Sequence, residues 1–142
     1  MIASATMLLF LLGCTQTHTY RVAIHNQTEG PITFGFTNDG APHHQGWASP
    51  EELTDIPPSH RPQEWGQVVD PGHTAHAQAH GLFDPGAHAY LRIYTGTPNV
   101  DAMLAMSRGF GNRTDVIIQP DVINDCTVTN YDNRITARII AH

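Results

Sequence analysis

The chain has 142 residues and a formal net charge of −6, and its seven basic residues are all arginine, with no lysine. Without a run of basic residues, nucleic acid is disfavoured as a partner, and the sequence supplies no electrostatic pull of its own toward anionic headgroups. Past the N-terminal apolar run, roughly 128 residues suit one domain able to fold without metal or disulfide.

Residues Met1 to Gly13 carry no charge and end in Leu8-Leu9-Phe10-Leu11-Leu12-Gly13, followed by Cys14. The run is too short to span a bilayer as a helix, which takes about 20 apolar residues, and it fits the core of a signal peptide. The segment Leu11-Leu12-Gly13-Cys14 resembles the lipobox of bacterial lipoproteins. That resemblance implies cleavage before Cys14, a diacylglyceryl group on its thiol and an acyl chain such as palmitate on its amine. One acyl chain anchors marginally, and two or three anchor almost irreversibly. Thr15, rather than Asp, after the cysteine implies an exported protein held at the outer membrane, facing the periplasm or the cell surface. Residues 1–13 are then signal peptide, 14–19 a short linker and 20–142 the domain. Two features depart from the pattern: no basic residue precedes the run, and Leu12 is bulky. The alternatives are an ordinary secretory signal and a buried first strand. With Cys14 lipidated, Cys126 has no partner within the chain and reads as a small buried hydrophobe.

Period-2 alternation dominates the rest. Tyr20, Val22 and Ile24 share one face of a strand ending at Asn26. After the turn Glu29-Gly30-Pro31, Ile32, Phe34 and Phe36 share a face of a second strand, so the two are expected to form a hairpin. A Pro-rich insertion, Asn38 to Pro62, follows. Within it, Ser49-Pro50-Glu51-Glu52 has the signature of a capped helical turn. Trp65 to Val69 reads as a strand. Two Asp-Pro-Gly turns, at 70–72 and 84–86, bracket a strand from Thr74 to Phe83. One face of that strand is Ala75, Ala77, Ala79 and Gly81, so something bulky should lie against it. Ala87 to Thr95 and Thr114 to Gln119 read as strands, while Val100 to Met106 is a short helix or an edge strand. Cys126–Tyr131 and Arg134–Ala141 form a hairpin through Asp132-Asn133, residues that tolerate positive φ. Seven to nine short strands predict an all-β, antiparallel β-sandwich, Ig-like or transthyretin-like, with one long Pro-rich loop and a short helical turn.

No Cys-x-x-Cys, His-Glu-x-x-His or Gly-x-Ser-x-Gly motif is present, so no catalytic residue is assigned, and an enzyme is the less favoured reading. Histidine is in excess, with ten in the chain. His43, His44, His73, His76 and His80 are the candidate ligands for zinc or copper, although His76 and His80 lie about 13 Å apart along a straight strand. Trp47 and Trp65 flank the Pro-rich loop; with His43 and His44 they are the candidate contacts for a ligand, or they pin the loop to the core. The favoured reading is a membrane-anchored, non-enzymatic binding or structural module. The bilayer is its partner through Cys14, an envelope protein or glycan is bound at the loop, and no cofactor is needed. The alternative is a histidine-dependent periplasmic protein binding zinc or copper.

Overall fold

In a computed structural model of the chain, which describes residues 17–40, 46–106 and 111–142, eight strands and two short helices build a β-sandwich. The strands are β1 (His18–Asn26), β2 (Ile32–Asn38), β3 (Gln67–Val69), β4 (Thr74–Gly81), β5 (Ala89–Thr95), β6 (Arg113–Ile118), β7 (Ile123–Tyr131) and β8 (Arg134–Ala141). Helices α1 (Pro50–Leu53) and α2 (Val100–Ala105) lie in the connections. One sheet has the order β4-β1-β7-β8, the other β3-β2-β5-β6, and every pair is antiparallel except β1 with β7.

The expected hairpin of the first two strands does not form: β1 and β2 belong to different sheets. An Ig-like sheet would pair them, so of the two expected arrangements the strand order is the transthyretin-like one. The reason lies at Asn26, whose side chain is 1% exposed. Its Nδ2 donates to the carbonyls of Gly30 and Val69 at 2.9 and 2.8 Å, and its Oδ1 accepts from Thr28 N at 2.9 Å and Thr28 Oγ1 at 2.7 Å. The amide thus satisfies the backbone of a corner that turns the chain from one sheet to the other. Asn124 performs the matching task where β6 passes to β7, accepting from Gln119 N and donating to the carbonyls of Arg21 and Gln119.

Alternation fills the space between the sheets. Tyr20, Val22 and Ile24 from β1, Cys126 and Val128 from β7, Ile32 and Phe34 from β2, and Leu91 and Ile93 from β5 form the core. Burial pushes the Cys126 thiol up to about 12, so it stays protonated and inert. The β7–β8 hairpin turns as expected, with Asp132 and Asn133 at φ 51° and 59°. The main chain of His142 exchanges both hydrogen bonds with Ile123, so the last strand is pinned in the sheet.

The Ser49 capping box is present, with Ser49 N donating to Glu52 Oε2 at 2.8 Å and Pro50 opening the helix. Val100–Ala105 resolves as helix because Asn99 caps it, its Oδ1 accepting from Ala102 N at 2.8 Å. Leu53, Val100 and Met103 are buried, as are Thr33 and Thr37 on the face of β2 turned away from the core. That second face is covered.

Candidate functional site

Residues 46–66 wrap the edge of β2. Trp47, 1% exposed, lies inside the sandwich. It packs edge-on against Tyr20 and Phe83 at 5.2 and 4.7 Å between centroids, with Phe36 at 5.5 Å. This is the bulky partner that the small face of β4 requires: Ala77 and Ala79 pack on the same cluster, and a Cβ at Gly81 would come within 3.2 Å of the Trp47 ring. Trp65 lies on the opposite side of β2. Its ring sits over Gly35, where a Cβ would approach it to 2.5 Å, and meets Tyr94 edge-on at 5.8 Å. Trp65 Nε1 donates to Ala48 O and Trp47 Nε1 to His80 O, each at 2.8 Å. The two tryptophans therefore straddle one strand edge.

Between them lies a groove of about 440 Å³, walled by Phe36, Ala48, Trp65, Ala77 and Gln78 among others. The backbone at its floor is set by ladder parity. In an antiparallel pair, alternate residues point their N–H and C=O to the same neighbour. Pro31 O and Asp39 N bond toward β5, so the even-numbered residues of β2 face the other way. There β3 meets Ile32 and Phe34 and stops. Phe36 is the next in that row, and among the described residues its N–H and C=O have no ladder partner. Opposite it, β4 pairs only with β1. The bond from Trp47 to His80 O marks the even residues of β4 as those turned to the open edge, so among the described residues the backbone of Gln78 and His76 has no ladder partner there.

A cluster of four charged groups fixes the covering layer to the outer face of the second sheet. Arg92 Nη1 meets Glu51 Oε2 at 2.6 Å and Arg92 Nε meets Asp115 Oδ1 at 3.1 Å; Arg113 meets Asp115 Oδ2 at 2.9 Å and Glu51 Oε1 at 3.3 Å. Burial alone would raise the Asp115 carboxyl, but the two guanidiniums hold it below its ordinary range; Glu51, likewise raised by burial, is lowered by a backbone N–H at the helix start and by Arg92 and Arg113. Glu51 was read as a helix-start charge; its partners are 41 and 62 residues away in sequence, beyond any local signal.

Of the predicted metal ligands, the three among the described residues, His73, His76 and His80, do not converge. His73 bonds Pro71 O just before β4, His76 is exposed at its middle, and His80 Nδ1 bonds Thr19 Oγ1 at 3.0 Å near its far end. Seven residues of strand separate His73 from His80, about 23 Å. Among the described residues no three His, Cys, Asp or Glu side chains are placed to hold a metal ion. His43, His44 and Cys14 lie outside the described residues. Four histidines outside the candidate set have carboxylate partners: His18 with Asp121 at 2.6 Å, His88 with Asp39 at 3.3 Å, and His25 and His142 with Asp125 at 3.4 and 2.9 Å.

No family model matches the chain, and no curated protein is similar to it in sequence. Among solved structures it is similar to the crystal structure of the T6SS lipoprotein TssJ1 from Pseudomonas aeruginosa. That match has 12% identity and a TM-score of 0.42, and covers 88% of this chain and 98% of that one.

Proposed function

We propose that this chain is a lipid-anchored envelope module that acts by binding rather than by catalysis, and that it takes an extended segment of a protein partner at the β2 edge. The observation that carries the reading is the groove beside Phe36, where unpaired strand backbone and an apolar Trp65 wall stand together. Strand addition uses this pairing, with main-chain hydrogen bonds for affinity and side-chain pockets for specificity. The anchor comes from Cys14 and the apolar run before it.

Two measurements test this. Mass spectrometry of the native N-terminus should find Cys14 as the first residue, carrying diacylglycerol; an unmodified Cys14 thiol within an uncleaved chain removes the anchor. Photo-crosslinkers placed at Gln67 and Gln78 should capture one envelope protein, and Gly35→Val, which drives Trp65 off its seat, should abolish the adduct. Equal capture from a crosslinker at Ile117 on the far strand would overturn the groove as the binding site.

A further inference from the structure

The outer face of the β4-β1-β7-β8 sheet gathers charge that the sequence scatters. Of the arginines among the described residues, Arg92 and Arg113 are locked into the cluster with Glu51 and Asp115. Arg61 is spent on the carbonyls of Leu53, Thr54 and Ile56. The remaining three, Arg21, Arg134 and Arg138, all project from this one face. They are exposed, and none is in an ion pair among the described residues. Register places them in cross-strand rows: Gln78, Arg21 and Ile123 in one; His76, Ala23, Asp125 and Ile140 in the next; Thr74, His25, Thr127 and Arg138 in the third; Tyr131 beside Arg134 at the far end. His76, His80 and His142 add ring N–H donors. Among the described residues the one carboxylate on the face is Asp125, which already holds His25 and His142 at 3.4 and 2.9 Å. Asp121 at the rim is tied to His18, and Asp132 sits at the hairpin tip. Although the chain as a whole carries −6, the arginines outside ion pairs and backbone contacts are, among the described residues, on one side.

Apolar groups are interleaved with these cations. Ile123 and Ile140 are each 50% exposed and Tyr131 is 79% exposed. A surface that wants both anions and hydrocarbon contact matches a phospholipid headgroup layer. Position agrees with this. β1 runs in this sheet and begins four residues after Cys14, a tether of at most about 14 Å.

We propose that the outer face of the β4-β1-β7-β8 sheet docks on anionic phospholipid headgroups. The domain then lies sheet-down on the membrane that its anchor enters, and the second sheet with its covering layer faces away. The orientation, but not the charge complementarity, rests on the anchor at Cys14.

The test uses the unlipidated domain from Thr15 onward, which contains both complete sheets, with vesicles of phosphatidylcholine alone or mixed with phosphatidylglycerol. Co-sedimentation should occur at low salt with the anionic vesicles only, and should be lost at high salt, where screening shortens the field. Arg21→Gln, Arg134→Gln and Arg138→Gln should each weaken it by about five-fold, and Arg61→Gln should leave it unchanged. Thermal melts of each variant separate lost binding from lost fold. Equal binding to both vesicle types, no binding at low salt, or a triple Arg→Gln variant that folds and binds like the parent would overturn the proposal. Because this protein lacks lipid, the outcome is independent of whether native Cys14 is acylated.

Discussion

Replacing Asn26 by alanine tests whether side-chain amides hold the inter-sheet corners. Four hydrogen bonds end on this amide, and its partners Thr28 and Val69 are themselves buried, so water does not replace what is lost. At about 1 kcal/mol net per bond the change should cost about 4 kcal/mol. A domain of this size is stable by roughly 6–19 kcal/mol, so the variant keeps its fold only with a much reduced margin. Urea titration of the domain from Thr15 onward should show the midpoint falling by about 2–3 M with the slope unchanged, for a slope near 1.5 kcal/mol/M. Asn26→Asp sharpens the test. It keeps both acceptors for Thr28 but aims a carboxylate at the Gly30 and Val69 carbonyls. Burial and those oxygens raise the carboxyl above its unfolded value, so the unfolded state binds fewer protons and this variant should gain stability as pH falls. A loss below about 1 kcal/mol in Asn26→Ala, or an Asn26→Asp variant stabilised at high pH, would refute the role given to the amide.

Three further outcomes follow from the same contacts. Trp47→Ala should cost about 3–5 kcal/mol, measured by urea titration, because it empties the volume that the alanine face of β4 is shaped around. Asp115 and Glu51 have folded values below their unfolded ones, so their contribution is complete above the unfolded carboxylate range and is lost as pH falls through the folded values; in denaturation series on the acid side, Asp115→Asn should flatten that fall. Cys126 should resist alkylation by iodoacetamide at mildly alkaline pH in the folded protein and react promptly in urea, as followed by mass.

The strands were legible because alternation is a local signal, and each strand here has one face committed to the core. The caps at Ser49 and the positive-φ pair Asp132-Asn133 were legible for the same reason. What failed was connectivity. Glu29-Gly30-Pro31 reads equally well as a hairpin turn or a sheet-to-sheet corner, and the choice is made by the long-range bond from Asn26 to Val69. The second face of β2 was hidden likewise. Thr33, Gly35 and Thr37 look solvent-facing, yet Thr33 and Thr37 are buried and Trp65 returns over Gly35. The arginines misled in the opposite direction. Counted along the chain they form no cluster, because Arg21 and Arg138 stand 117 residues apart and come onto one face only through the β1–β7–β8 register. The tryptophans were singled out together, and their fates divide: Trp47 is consumed by the core, while Trp65 is left to wall a groove.

That division bears on how the insertion should be probed. Strand β3 pairs with three residues of β2, and an uncovered continuation of that edge would be a template for association with other chains. Residues 46–66 shield its side chains from both directions while leaving the backbone of Phe36 reachable, so the same segment blunts the edge and builds the groove. Deleting the insertion would therefore remove Trp47 from the core together with the site, and loss of binding would report only loss of fold. Gly35 offers a cleaner separation. Its missing Cβ seats Trp65 on the outer side of the sheet and touches nothing in the Trp47 cluster, so a larger residue there should disturb the groove wall and leave the inner packing in place. A Gly35→Val protein that folds, keeps Trp47 buried by fluorescence and still captures its partner would show that the edge backbone, rather than the tryptophan wall, carries the recognition.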